Sequence, residues 1–126
     1  MLDSLEIQTF LEQRGFEPVD ARTHAIGFAH PDLTGHLIYL KDGRDRRDAP
    51  RKAVRKQPLV VHPAIADLPG FATNRAVQLG GSRPYMNSNM TAFPKCDGKS
   101  AQGVAMGIVD AATLDEVLAL HGWRGL

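Results

Sequence analysis

KDGRDRRDAPRKAVRKQPLVVHP, Lys41 to Pro63, falls into two halves of opposite character, and the fold turns on the boundary between them. Lys41–Gln57 carries eight Lys/Arg (Lys41, Arg44, Arg46, Arg47, Arg51, Lys52, Arg55 and Lys56) against three Asp (Asp42, Asp45 and Asp48). It has no apolar periodicity and contains Pro50, so it reads as a basic loop or mobile arm over 42–57. Leu59-Val60-Val61 follows without a linker and is wholly apolar, which predicts a short strand, Pro58–Val61, buried on both sides. A solvated cationic segment is thus fastened directly to the centre of a core.

On the N-terminal side, His24–His30 and His36–Lys41 predict a β-hairpin around Pro31-Asp32-Leu33-Thr34-Gly35. If residues 30 and 36 face each other, 28 pairs with 38 and 26 with 40, which puts Ile26, Phe28, Ile38 and Leu40 on one face. Gly27, Ala29, Leu37 and Tyr39 share the other face, which is too apolar to be fully solvated. Before the hairpin, Ile7, Phe10 and Leu11 are spaced as one stripe of a helix over Asp3–Arg14. Asp3 and Glu6 have capping-box spacing, Gly15 fits the C′ position, and Phe16 can fold back on the last turn.

On the C-terminal side, His62-Pro63-Ala64-Ile65 begins a turn, with a short helical turn expected near Ile65–Leu68 and a further strand over Ala76–Leu79. Ser82–Gln102 reads as a long polar loop, punctuated by Pro84, Pro94 and Gly98. Gly103–Val109 reads as the last strand. A second helix, Leu114–His121, takes Thr113 as N-cap and Glu116 at N3, and Gly122-Trp123 repeats the glycine–aromatic ending of the first. The expectation is a single α+β domain over 1–126: a small, mostly antiparallel sheet flanked by an N-terminal and a C-terminal helix, with Leu59–Val61 central.

Composition agrees with one ordinary domain: 126 residues, 43% apolar and 23% charged. The net charge is only +1, yet outside Lys41–Gln57 seven basic residues face eleven acidic ones. That asymmetry favours a polyanionic or acidic partner at one face. A single cysteine, Cys96, excludes an internal disulfide framework and suits a reducing cytoplasm. No apolar run approaches the roughly 18–20 residues of a membrane helix. MLDSLEIQTF lacks the basic and apolar regions of a signal peptide, so a cytoplasmic location without a membrane partner is expected.

Phe10-Leu11-Glu12-Gln13-Arg14-Gly15-Phe16, Gly27-Phe28, Leu59-Val60-Val61-His62-Pro63 and Phe93-Pro94 occur in an order that resembles the YgaC-like family of small uncharacterised bacterial cytoplasmic proteins. Ser88-Asn89-Met90 and Phe93-Pro94-Lys95 match a further pattern of that family. The resemblance implies a compact α+β fold and supplies no activity. The long basic segment departs from it, so nothing about that segment is inherited.

The lead expectation for function is a non-catalytic binding module for DNA or RNA. Arg44, Arg46, Arg47, Arg51, Lys52, Arg55 and Lys56 would contact phosphates through salt-sensitive counterion release. The Arg83–Lys99 loop, RPYMNSNMTAFPKCDGK, adds cations at Arg83, Lys95 and Lys99 and hydrogen-bonding groups at Asn87, Ser88, Asn89 and Thr91. Tyr85 and Phe93 could stack on a base. Against this, Met90 and Phe93 can anchor the loop in the core while the asparagines close its turns. A second class is a protein-interaction or regulatory module whose acidic partner occupies the same segment. A third is a small hydrolase with His62 as base and Cys96, beside Lys95, as thiolate. Nothing in the spacing brings His62 and Cys96 together. There is no C-x-x-C, H-E-x-x-H or Walker A, and Gly80-Gly81 do not form G-x-G-x-x-G, so no metal or cofactor is expected.

Overall fold

The computed structural model describes residues 1–33, 37–87, 89–95 and 100–122. Helix α1 (Ser4–Gln13) is followed by strands β1 (Glu17–Ala21), β2 (Ala25–Ala29), β3 (Ile38–Lys41) and β4 (Leu59–Val61). A 3-10 turn (Pro63–Asp67), α2 (Arg75–Gly80), β5 (Ser82–Met86), β6 (Gln102–Met106) and α3 (Ala111–Leu120) complete the chain. The six strands form one antiparallel sheet in the order β1-β2-β3-β4-β6-β5. This is the expected α+β fold, and β4 is central: Val60 lies opposite Tyr39 on β3 and Ala105 on β6.

The hairpin register is the expected one, Phe28 opposite Ile38 and Ile26 opposite Leu40. Its tip, with Thr34, Gly35 and His36, lies outside the described residues. Ile26, Phe28, Ile38 and Leu40 join Leu59, Val61, Val104 and Met106 in a core closed by Ile7 and Leu11 of α1 and Leu114, Val117 and Leu118 of α3. In α1 the Asp3 carboxylate accepts from the N–H of Glu6 (2.9 Å) while Glu6 accepts from that of Asp3 (3.0 Å). Gly15, at φ +87°, lets the N–H of Phe16 reach the Leu11 carbonyl (3.0 Å), so Phe16 does fold back and is buried.

The second face is also buried, but by a loop. Met90 and Phe93 pack on Ala25, Tyr39, Val60, Ala101 and Ala105, and the Phe93 ring meets Tyr39 edge-on at 4.9 Å between centroids. Gly103 makes the approach possible, because a Cβ there would lie 2.6 Å from Val60 and 3.1 Å from Phe93.

The structure corrects several of these expectations and adds a strand. Ala76–Leu79 is helix, not strand: Asn74 caps α2 by accepting from the N–H of Val77 (3.2 Å), and a four-residue apolar run fits either period. Ser82–Met86, expected as loop, is an edge strand, where Pro84 is tolerated because its nitrogen need not enter the ladder. Glu17–Ala21, outside the elements expected from the sequence, is the opposite edge, and it carries Pro18 and a register shift between Pro18 and Asp20. Proline and the shift make these edges poor templates for another strand. Helix α3 starts at Ala111, with Asp110 as N-cap and Thr113 at N3, because the Asp110 carboxylate takes the N–H of Thr113 (2.9 Å). The last strand is correspondingly shorter than Gly103–Val109, ending at Met106, and Trp123 lies outside the described residues. Among the described residues no helix is long and apolar enough to cross a membrane.

Candidate functional site

Strand alternation carries Tyr39 and Lys41 to the loop-covered face. There the Lys41 ammonium lies 4.1 Å from the centre of the Tyr85 ring. Tyr85 is opposite Gly103 and Arg83 opposite Ala105, so β5 presents both to the same face. Lys56 reaches this corner from the basic segment. Burial, and then the positive charges of Arg83 and Lys56, push the Lys41 pKa down to about 8. The protonated amine is therefore penalised in the folded state below about pH 8, and the penalty is relieved as pH rises toward the value of a free lysine. Among the described residues no ion pair engages Lys41, Lys56 or Arg83. Three cations and an aromatic ring share one corner, with no carboxylate paired to the cations among the described residues.

The basic segment has neither helix nor strand, yet it is strapped down. Asp42 is buried, and its Oδ1 accepts from the N–H groups of Arg44 (3.0 Å) and Lys52 (3.1 Å), closing 42–52 into a loop. The Arg44 guanidinium donates to the carbonyls of Arg22 (2.7 Å), Thr23 (3.1 Å) and Arg47 (3.0 Å). With its side chain 13% exposed, Arg44 is a brace, and little of it remains for a ligand. Arg46 pairs with Asp48 in solvent, and Arg51 donates to Gln8 of α1. The returning leg is tied to α1 by a reciprocal pair of bonds between Ser4 and Val54, each 2.9 Å through the Ser4 N–H and hydroxyl. Arg47, Lys52, Arg55 and Lys56 stay exposed. Gln57, at φ +46°, then turns the chain into Pro58 and β4.

The polar loop is engaged in holding itself. Asn87 accepts from the N–H of Asn89 (2.8 Å) and donates to the Tyr85 hydroxyl (3.0 Å); Asn89 accepts from the N–H of His24 (3.2 Å). The Tyr39 hydroxyl donates to Asp20 (2.7 Å) and accepts from the N–H of Ala92 (3.1 Å), while Thr91 donates to Asp20 (3.0 Å). Burial works to raise the Asp20 pKa, but hydrogen bonds from Tyr39, Arg22 and Thr91 outweigh it and hold the carboxyl below its usual range. Burial, and then the bond to Asp20, raise Tyr39. Lys95 is exposed beside an isolated bridge to Ala101; Ser88, Cys96 and Lys99 lie outside the described residues.

His62 caps the 3-10 turn, its Nδ1 accepting from the N–H of Ala64 (3.0 Å), and its ring stands edge-on to Phe93 at 5.4 Å. That accounts for a histidine at the end of a buried strand without chemistry. Among the described residues no three His, Cys, Asp or Glu side chains converge as metal ligands would.

Of the residues singled out in the sequence, Lys56 and Arg83 come together, whereas Arg44 and Arg51 are turned to structural partners. Lys41 and Tyr85 complete the cluster; Tyr85 is a base-stacking candidate of the sequence, whereas Lys41 is not a site candidate there. Lys41 is found by counting two from Tyr39, but its meeting with Tyr85 follows only once 82–86 is a strand. Fold and site together define a small one-sheet α+β domain with a cationic corner on its loop-covered face. No family model matches the chain, and no curated protein matches it.

Proposed function

We propose that this domain is a non-catalytic nucleic-acid binding module that takes the phosphate backbone at Lys41, Lys56 and Arg83. The observation that carries the reading is the convergence of Arg83 and Lys56 on Lys41, itself against the Tyr85 ring, with no carboxylate paired to the three among the described residues. Burial first, and then repulsion from Arg83 and Lys56, depresses Lys41; a phosphate there would relieve the repulsion, and exposed Arg47, Lys52 and Arg55 extend the positive surface along the loop. Lys41 already covers the Tyr85 ring and the asparagine amides are engaged, so backbone contact is favoured over base readout and sequence preference should be weak. A cytoplasmic setting would supply such ligands and keep Cys96 reduced.

The test is a salt titration with random single-stranded DNA, RNA and duplex, starting at about 50 mM. Binding should be strongest there, weaken with salt, and lose about one unit of salt slope for each of Lys41→Gln, Lys56→Gln and Arg83→Gln. Because the contact needs a protonated Lys41, affinity should also fall as pH rises through about 8. Absence of binding at low salt, or a triple variant that binds like the parent, would sink the reading. Capture of a polyglutamate peptide alone would transfer the face to an acidic protein partner.

A further inference from the structure

The same corner supports a reaction as well as a contact. Lys41 is half-buried, its ammonium held against the Tyr85 ring, and it is flanked by Arg83 from β5 and Lys56 from the basic loop. Across the ladder it faces Ala25, which brings no charge. An amine fixed beside two cations is an arrangement for receiving an electrophile that carries its own anion. We propose that Lys41 is an acylation site for acyl phosphates, with Arg83 and Lys56 holding the donor's phosphate while the Lys41 amine attacks its acyl carbon.

The step balances without redox chemistry. A nitrogen–carbon amide bond forms as the bond between acyl carbon and phosphate oxygen breaks. Phosphate leaves with the bonding electron pair, and the amine's proton passes to solvent. Only the neutral amine attacks, and with a pKa of about 8 Lys41 is partly neutral near physiological pH, where a solvated lysine is almost wholly protonated. The product is a neutral amide, so acylation removes the ammonium that burial and its two neighbours disfavour. It would also remove one of the three cations of the corner, although the acylation itself does not depend on nucleic acid binding there.

Folded protein treated with acetyl phosphate at about pH 7.5 should be followed by site-resolved mass spectrometry at early times. Lys41 should be acetylated on the order of tenfold faster than exposed Lys52, since its larger neutral fraction outweighs the lower nucleophilicity of a weaker base. Inorganic phosphate should slow acetylation of Lys41 and leave Lys52 unaffected, and Arg83→Gln should slow Lys41 alone. Unfolding in urea should erase the preference. Equal rates at Lys41 and Lys52 would overturn the site. A preference for Lys41 that neither phosphate nor Arg83→Gln diminishes would overturn the assignment of the donor.

Discussion

On the helix side of the sheet, Ile26, Phe28, Ile38, Leu40, Leu59 and Val61 pack against apolar residues of α1 and α3. On the other side Tyr39 and Val60 meet Met90 and Phe93, which arrive on a loop whose described residues form one isolated bridge, Lys95 to Ala101, and no helix or strand. Helices bring satisfied backbones, so their cover needs only an apolar stripe. A loop brings backbone groups that must be met, and here the Tyr39 hydroxyl takes the N–H of Ala92 and the Asn87 side chain that of Asn89, while Asp20 holds the hydroxyls of Tyr39 and Thr91. The loop-covered face is therefore the polar one, and it is also where Lys41, Lys56 and Arg83 gather without an ion pair among the described residues.

The largest effects should separate the two covers. Phe28→Ala empties the helix side and should cost about 3–5 kcal/mol in denaturant unfolding, with the whole sheet opening together. Phe93→Ala should cost less, about 2–3 kcal/mol, because a loop can settle into part of the cavity. Amide exchange should then quicken across 89–95 before it quickens in the sheet. If Phe93→Ala costs as much as Phe28→Ala and opens the sheet with it, the two faces are one cooperative core and the contrast fails.

A smaller effect tests the hydrogen bonds beneath the loop. Tyr39→Phe keeps the ring but leaves the Ala92 N–H unmet and Asp20 one donor short, which should cost about 1–2 kcal/mol. Asp20 adds a pH signature. Its folded-state pKa lies below the unfolded value, so its contribution is complete above about pH 4 and is lost as pH falls through the lower folded value. Melting temperature followed down to about pH 2 should drop less steeply in Asp20→Asn than in the parent. Parallel curves would show that Asp20 does not report on the loop.

The same contrast explains what could be read in advance. Ile7, Phe10 and Leu11 at helical spacing, and the alternation through Ile26, Phe28, Ile38 and Leu40, name the helix side because periodic elements write their burial into the sequence. Asp3–Glu6 and Gly15 mark the ends of α1 through local rules. The other face is written in no period. Met90 and Phe93 reach Tyr39 from far along the chain, and Pro84 between Arg83 and Tyr85 disguises an edge strand as a loop. Lys41 was counted with the basic run although it closes β3, and its meeting with Arg83 depends on the β4–β6–β5 order, which local pattern does not contain. Arg44 shows the converse: by composition it belongs with the other cations, and only its carbonyl partners reveal a brace.

The smallest effects should come from the ion pairs laid over the helices, and they test whether the helix side depends on charge at all. Arg14 joins α1 to α3 by donating to both carboxylate oxygens of Asp115 (2.5 and 3.0 Å) and to the Phe10 carbonyl, with its own side chain 16% exposed. That hydrogen bonding raises the Arg14 pKa above its usual value. Arg75 reaches Glu116 at 2.8 Å from a side chain 61% exposed, where water and salt screen the pair. Arg14→Gln should lower the denaturation midpoint measurably, though by less than Tyr39→Phe. Arg75→Gln should leave it where it is at low and high salt alike. A loss at Arg75 equal to that at Arg14 would mean that the contact between α2 and α3 rests on charge, and the helix side would then resemble the loop side more than its apolar packing suggests.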